Sequence, residues 1–158
     1  MVNTAATSTD RYIRPNAFDV RVFNPIVARL TKIGVSIRGS RVLEVRGRTS
    51  GEWRGVPVNP LQLGSDRFLV APRGTTQWVK NIRAAGGGRL RKGRQIEDFT
   101  IAEVADPDKT PILRVYIDKW GFEVGKFFEG VTKDSTNAEL ATIAPRFPVF
   151  RIDSLTNV

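Results

Sequence analysis

The apolar residues of the first part of the chain recur at helical spacing. Residues 24–34 open with Asn-Pro, carry apolar residues every three or four positions and close with a glycine. Asparagine caps a helix, proline suits its first turn and glycine ends it, so this segment is predicted to be a helix packed on a sheet, with residues 17–23 as a separate helical piece. Contact of this basic, amphipathic helix with a membrane surface stays open. The polar residues 1–16 are expected to form a flexible tail before a single domain at 17–158.

Beyond residue 40 the pattern changes to short runs of strand character bounded by turn residues. Predicted strands cover 41–46, 56–63, 67–71, 89–92, 95–104 and 149–152, and predicted short helices cover 77–85, about 110–120 and 137–144. The prolines at 57 and 60 place the second strand at a sheet edge or a bulge. Five or six short strands with a few helices indicate an α+β barrel.

The composition removes several kinds of chemistry. The 158 residues include no cysteine and no histidine. Disulfides, thiolate nucleophiles, Cys/His zinc sites and Ser-His-Asp triads are therefore excluded, and no acidic cluster has calcium-loop spacing, so no metal site is predicted. An enzyme built from this chain would take its reactivity from a bound cofactor. Without a long apolar run or a signal segment, the expected location is the cytoplasm.

The positive charge is concentrated in one stretch of the sequence. The chain carries a net charge of +9, whereas the segment from Arg38 to Arg94 holds 13 basic and three acidic residues, a net of +10. Such a stretch favours an anionic partner by attraction and steering. Nucleic acid, an acidic membrane surface and a polyanionic small molecule would each satisfy it.

Two short segments within this stretch carry candidate binding chemistry. Arg48-Thr49-Ser50-Gly51 forms a turn between strands, with Arg54 three residues beyond. Glycine exposes backbone amides, hydroxyls bond anions and guanidinium groups match phosphate or carboxylate oxygens in pairs. A solvated basic hairpin has the same composition, and the spacing is not that of a Walker loop.

The second segment runs from the end of a buried strand into a helix. Pro72 and Gly74 leave the backbone open to the approach of a flat ligand. Trp78 either walls a ring pocket or fills the core. Asn81 lies on an apolar helix, so it needs either a backbone group or a ligand as its partner.

Three motifs in order carry a family resemblance. They are Gly47-Arg48-x-Ser50-Gly51-x-x-Arg54-x-x-Pro57, Ala71-Pro72-Arg73-Gly74 and Trp78-x-x-Asn81-x-Arg83-Ala84. Over roughly residues 20–152 the chain resembles the deazaflavin (F-420)-dependent nitroreductase family of actinobacterial proteins, within the flavin/deazaflavin oxidoreductase superfamily. The resemblance implies an α+β split β-barrel of about six mostly antiparallel strands with flanking short helices. It also implies hydride transfer from reduced coenzyme F-420 (8-hydroxy-5-deazaflavin) to an electron-poor acceptor.

The resemblance also implies which residues bind the coenzyme. The turn and the following strand would hold its phosphate and polyglutamate tail through Arg48, Thr49, Ser50, Arg54, Gly55, Val56, Pro57, Val58 and Asn59. The loop Ala71, Pro72, Arg73 and Gly74 would border the deazaflavin ring, and Gln77, Trp78, Val79, Lys80 and Asn81 would close the site.

The chain departs from the family pattern in two places. Many relatives have a lysine at the position of Thr49, so one phosphate contact is expected to be missing. Relatives that activate nitroimidazoles use several C-terminal tyrosines, whereas this chain has only Tyr12 and Tyr116. A quinone or a conjugated carbonyl is therefore the expected acceptor. Tyr116 is a candidate proton donor, alternatively a core aromatic, and water is an equal candidate for the donor.

Three other functions stay open at this point. An FMN-binding reductase of the same superfamily needs to hold only one terminal phosphate, so 13 basic residues exceed its need. A nucleic-acid or acidic-surface binder would need aromatic residues interleaved with the basic ones on an exposed sheet face. A protein that carries the coenzyme without turning it over would share the same motifs. Monomer and homodimer are both compatible with the sequence.

Overall fold

The computed structural model describes residues 40–124 and 130–155, so the predicted tail and the helices before residue 40 lie outside the described residues. The strands are β1 (Arg41–Arg46), β2 (Trp53–Val58), β3 (Leu61–Leu63), β4 (Asp66–Val70), β5 (Gly87–Lys92), β6 (Gln95–Glu103) and β7 (Val149–Ser154). The helices are α1 (Gln77–Ala85), α2 (Thr110–Val124) and α3 (Asn137–Ile143), with short 3-10 turns at Asp106–Asp108 and Ala144–Arg146. No helix of this described part is long and apolar enough to cross a membrane.

The strand order forces the sheet to curl. All neighbouring strands are antiparallel, in the order β2-β1-β5-β6-β7-β4-β3. The two edge strands, β2 and β3, follow each other in the sequence and are joined only by Asn59 and Pro60. In a flat sheet these edges would be roughly 29 Å apart at about 4.8 Å per strand, whereas the two-residue connection reaches about 10 Å. The sheet therefore curls into a half-barrel, which confirms the predicted α+β split-barrel fold.

The segment predicted as one strand at 56–63 forms two strands. Pro60 has no amide to donate to a ladder, so pairing stops at Asn59 and resumes in β3 at the opposite edge of the sheet. The sheet consequently has seven strands, one more than the approximate number expected. The edge position inferred from the prolines is confirmed for β2.

Alternate residues of the strands pack into two separate apolar clusters. The barrel cluster fills the interior and consists of Leu43, Val45, Leu69, Ala71, Leu90, Phe99, Phe150 and Ile152, together with Val79 and Ile82 of α1. The helix cluster lies on the other face of β4, where Phe68 and Val70 pack with α2 and α3. Since successive strand residues point to opposite faces, β4 contributes to both clusters. Helix α1 therefore belongs to the barrel interior, and α2 and α3 cover its outside.

The glycine triplet 86–88 both ends a helix and begins a strand. Gly86 closes α1 with a φ of 75°, in the left-handed region that glycine adopts without strain. At Gly88 a Cβ atom would lie 2.7 Å from the carbonyl oxygen of Glu44. A side chain there would push β5 away from β1, so the close pairing of these strands requires glycine.

A polar cluster lies on the inner face of the strands, at the barrel end opposite the turn after β1. Arg67 of β4 donates two hydrogen bonds to the carboxylate of Glu97, and Ser154 donates to the same carboxylate at 2.6 Å. The bonds from Arg67 lower the pKa of Glu97, and burial opposes them without cancelling them. The cluster joins β4, β6 and β7 at this end of the barrel.

The depressed pKa of Glu97 predicts how the fold responds to acid. A carboxylate stabilised in the folded state contributes stability above its unfolded pKa, and this is lost as the pH falls through the lower folded pKa. Glu97→Gln is expected to lower the free energy of unfolding by about 1–3 kcal/mol at pH 7. The difference from wild type should shrink below the ordinary pKa of 4.5. Urea denaturation between pH 3 and 7 measures both, with Glu52→Gln, at a carboxylate whose side chain is 77% exposed, as the control. A pH-independent difference would contradict the assignment.

Candidate functional site

The turn between β1 and β2, residues Gly47–Gly51, is closed by its own hydrogen bonds. The amide of Gly51 donates to the carbonyl of Gly47 at 2.8 Å, and the Ser50 hydroxyl accepts from the amide of Glu52 at 3.2 Å. Gly51 has a φ of 71°, and a Cβ on Gly47 would lie 2.8 Å from the Ser50 hydroxyl oxygen. Gly51 is therefore favoured by its left-handed conformation, whereas a side chain at Gly47 would displace the Ser50 hydroxyl. The turn leaves the side chains of residues 48–50 exposed.

Helix α1 holds this turn through a buried amide. The side-chain oxygen of Asn81, a residue that is 6% exposed, accepts from the backbone amide of Arg48 at 3.2 Å and from its guanidinium at 2.8 Å. Gln77, one turn earlier in α1, accepts from the same guanidinium nitrogen at 3.0 Å. Of the two partners expected for Asn81, the structure therefore shows a backbone group, with a guanidinium beside it. The turn and the start of α1 form one unit.

The N-terminus of α1 lies beside the turn and lacks an anionic partner within the described residues. Its cap position is held by Thr76, whose side chain makes no capping hydrogen bond, and its first turn contains no acidic residue. The hydroxyl oxygen of Thr76 is buried without a hydrogen-bond partner. Free amides and the helix dipole favour an anion at such an end. Thr76 was not among the residues predicted from the sequence, although a threonine directly before a predicted helix is a recognisable capping signal.

The loop that precedes α1 is folded onto the helix start. The amide of Gly74 donates to the carbonyl of Ala71 at 3.1 Å, and the amide of Thr76 donates to the carbonyl of Gly74 at 2.9 Å. Gly74 has a φ of 81°, which a residue with a side chain adopts only under strain. Pro72 and Arg73 are half-buried at the tip of this loop. The loop, the turn and the first turn of α1 thus follow one another along one end of the barrel.

The remaining predicted residues of α1 have different environments. Val79 is fully buried in the barrel cluster, and Lys80 is exposed. Trp78 is half-buried, and its ring meets that of Phe150 edge-to-face at 5.9 Å between centroids. Trp78 therefore packs against the barrel interior while part of its surface stays open; the core-packing role is confirmed, and its role as the wall of a ring pocket stays a prediction. For Val79 the side chain packs the core, and its contact with a cofactor stays a prediction.

The predicted residues of β2 alternate between the two faces of the sheet. Val56 and Val58 pack on the barrel cluster, whereas Gly55 and Pro57 share the opposite face with their partners in β1. Arg54 follows the turn with a side chain that is 64% exposed, and its guanidinium lies 3.9 Å from Glu52. Because β2 is a sheet edge, one side of its backbone meets no other strand of the described residues. The edge of β2 is therefore open on that side, and contact of the backbone of residues 55–59 with a cofactor stays a prediction.

The basic stretch does not form one surface. Arg67 pairs with Glu97, Arg83 pairs with Glu103, and both Arg89 and Arg91 pair with Glu44. Two of these carboxylates lie outside the stretch from Arg38 to Arg94, so counting charges within the stretch overestimated its positive field. The stretch is therefore not one continuous cationic surface, because strand alternation distributes its arginines over both faces of the sheet. Arg46 bonds the turn from β1, Arg48 lies within the turn, Arg54 follows it on β2, and Lys80 is exposed on α1.

Tyr116 does not share the environment of the turn. Its ring is 3% exposed in the helix cluster and packs on Trp120 at 5.0 Å between centroids. Helix α1 packs in the other cluster. The expected packing role is therefore confirmed, and the role of proton donor stays a prediction. Within residues 40–124 and 130–155, no group of three or more carboxylates is placed to hold a metal ion.

Comparisons with known proteins agree with this architecture. The model of the family described as F420H(2)-dependent quinone reductase matches residues 19–122. No curated protein matches the chain. A solved structure described as a domain-swapped dimer is 17% identical, with a TM-score of 0.54 over 82% of this chain and 92% of its own. The structure of an F420-H2 dependent reductase (FDR-A) is 16% identical, with a TM-score of 0.52 over 73% and 95%. The protein Atu2129 from Agrobacterium tumefaciens, of unknown function, is 11% identical, with a TM-score of 0.53 over 90% and 57%. At these identities the solved structures show the shared fold alone.

The buried amide of Asn81 predicts a measurable contribution to stability. Asn81→Ala removes the acceptor of two Arg48 donors and is expected to lower the free energy of unfolding by about 1–3 kcal/mol. Asn81→Asp keeps an oxygen acceptor beside the guanidinium and should lose less. Lys80→Ala, at the exposed position next to Asn81 on the same helix, is the matched control with an expected change within about 0.5 kcal/mol. Chemical denaturation measures all three, and an Asn81→Ala variant as stable as wild type would refute the docking contact.

Proposed function

Because the chain belongs to the F420H(2)-dependent quinone reductase family, we propose that the turn Gly47–Gly51 and the start of α1 form its coenzyme site. The chain is an F420-dependent oxidoreductase, and coenzyme F-420 is its cofactor. The observation that supports the location is the contact of Arg48 with Asn81, which joins the arginine turn to a helix N-terminus. Two anion-binding features thereby lie side by side.

The residues around the turn fit the anionic part of such a coenzyme. Arg48 and Arg54 supply guanidinium groups, and Thr49 and Ser50 supply exposed hydroxyls. The buried hydroxyl of Thr76 lacks a partner at the adjacent helix start, where a phosphate oxygen would complete its hydrogen bonding. The edge backbone of β2 would bind the tail, as expected for residues 55–59.

The ring of the coenzyme would lie against the loop 71–74 and the exposed part of Trp78. When bound, the reduced deazaflavin supplies a hydride, so the protein contributes orientation and electrostatics. Pro72 and Trp78 would exclude water from the ring, and Arg73 would place positive charge near the product. The proposed acceptor is a quinone, with enones and nitroarenes as alternatives, because the tyrosine cluster expected for nitroimidazole activation is missing from the sequence.

Turnover with a panel of acceptors tests this proposal. Reduced coenzyme F-420 mixed with the protein and a quinone is expected to be oxidised in proportion to enzyme, with enones and nitroarenes reacting more slowly. The rate is measured as the rise in absorbance of the oxidised coenzyme when the acceptor is reduced, and as the fall in this absorbance when the reaction runs in reverse. Binding without oxidation of any acceptor would favour a coenzyme carrier instead.

In the same assay, Tyr116→Phe should keep the rate of coenzyme oxidation, since the ring is buried. A loss of rate of about 100-fold would instead support Tyr116 as the proton donor.

Coenzyme affinity tests the site itself. Arg54→Ala is expected to weaken binding of coenzyme F-420 about tenfold or more, because a charge-assisted hydrogen bond contributes roughly 1.5–3 kcal/mol. Arg94→Ala removes the same charge in the turn between β5 and β6, at the barrel end away from the Gly47–Gly51 turn, and should change the affinity less than about twofold. Fluorescence titration measures both, and an Arg54→Ala variant that binds like wild type would exclude this arginine from the site.

Binding assays with the purified protein distinguish the F420-dependent reductase from the other two candidate functions. FMN binding in place of the deazaflavin would identify the FMN-type reductase, and salt-dependent binding to random DNA without deazaflavin affinity would identify a polyanion binder. The cofactor contacts of the individual residues, the cytoplasmic location, contact with a membrane surface and the actinobacterial origin stay predictions. The partner is a small molecule, and the choice between monomer and homodimer is left to measurement.

A further inference from the structure

The outer face of the sheet beside the turn carries a set of contacts around an exposed tryptophan. Trp53 begins β2, lies opposite Arg46 of β1 and is 36% exposed. The guanidinium carbons of Arg46 and Arg89 lie 4.2 and 3.9 Å from the centre of its ring. Cations over an indole ring are held by its quadrupole, so Trp53 links two arginines that would otherwise repel each other.

Each arginine is fixed by a second contact. Arg46 donates from its guanidinium to the carbonyl of Gly51 at 2.9 Å. Arg89 donates to the carboxylate of Glu44, whose other oxygen accepts from Arg91 at 3.0 Å. Burial acts to raise the pKa of Glu44, but the hydrogen bonds from Arg91 and Arg89 outweigh it and hold the pKa below its ordinary value. A continuous path of contacts thus runs from β5 to the last residue of the turn.

This path lies on the side of β1 that faces away from α1. Leu43 and Val45 point into the barrel cluster, so Glu44 and Arg46 point to the opposite face. The turn is consequently fixed on both sides of the sheet: Arg48 reaches Asn81 on the helix side, and Arg46 bonds Gly51 from the outer side.

We propose that the outer-face network, defined as Glu44, Arg46, Trp53 and Arg89, positions the turn for binding of the coenzyme. The inference rests on the proposed function, since it concerns the same turn. None of its members needs to touch the coenzyme, so they are positioning residues. A turn that is ordered beforehand loses less conformational freedom on binding, and that difference becomes affinity.

Substitutions of Trp53 test this inference with two readouts. Trp53→Leu removes the ring between the arginines, and Trp53→Phe keeps a ring. In the protein without coenzyme, hydrogen exchange at the amides of Arg48 and Gly51 is expected to accelerate in the leucine variant and to stay close to wild type in the phenylalanine variant. The dissociation constant for coenzyme F-420 should rise about three- to thirty-fold in Trp53→Leu, with largely restored affinity in Trp53→Phe.

Arg151 of β7 serves as the control. It lies between two residues of the barrel cluster and therefore on the outer face, and β5 and β6 separate its strand from β1. Arg151→Met breaks an ion pair of exposed side chains with Asp153 and should change neither readout. The inference is overturned when Trp53→Leu leaves the exchange and the affinity unchanged, when it lowers only the free energy of unfolding, or when Arg151→Met has the same effect. Equal losses in the leucine and phenylalanine variants would also overturn it. If the wild-type protein binds no coenzyme, the proposed function is wrong. The hydrogen-exchange rates of the variants still test whether the network orders the turn.

Discussion

A buried side-chain oxygen joins the two segments from which the candidate site is built. Asn81 accepts both the backbone amide and the guanidinium of Arg48. Without this acceptor, the backbone amide of Arg48 would lose its partner, and the turn would be held by its own hydrogen bonds, the bond from Arg46 and the bond from the Arg48 guanidinium to Gln77. The proximity of the arginine turn, the loop before α1 and the N-terminus of α1 therefore depends on one amide that is almost fully buried.

Much of the fold could be predicted from local patterns. The alternation in 41–46 predicted β1, and the helix at 77–85 was predicted with the bounds that the structure shows. The prolines identified β2 as an edge because a missing amide is a local property of the residue. The break at Asn59 and Pro60 was missed, since it depends on where each half of the segment finds a partner. Pairing across the whole sheet decides this, and a single segment does not reveal it.

The candidate site was predictable in its motifs and less so in its electrostatics. The turn, the loop and the helix could be identified, and Asn81 was recognised as a residue that needs a partner. The sequence did not reveal which arginines remain available to a ligand. Glu97 and Glu103 lie just beyond the basic stretch, and only the pairing of the strands brings them to Arg67 and Arg83. Glu44 was visible as a lone acid in β1, but its two arginine partners follow only from the register of β1 with β5. Net charge along the sequence is thus a poor measure of the field at a site.

The place of β7 in the sheet has a consequence for folding on the ribosome. This strand lies between β6 and β4, so the β3–β4 hairpin joins the rest of the ladder only through residues 149–154. The β1, β2, β5 and β6 strands can pair as soon as they are synthesised, but the barrel cannot close until β7 emerges about 80 residues after β4. During that interval β4 and β6 each have an unpaired backbone edge and uncovered apolar side chains. Nascent chains in such a state aggregate or recruit chaperones.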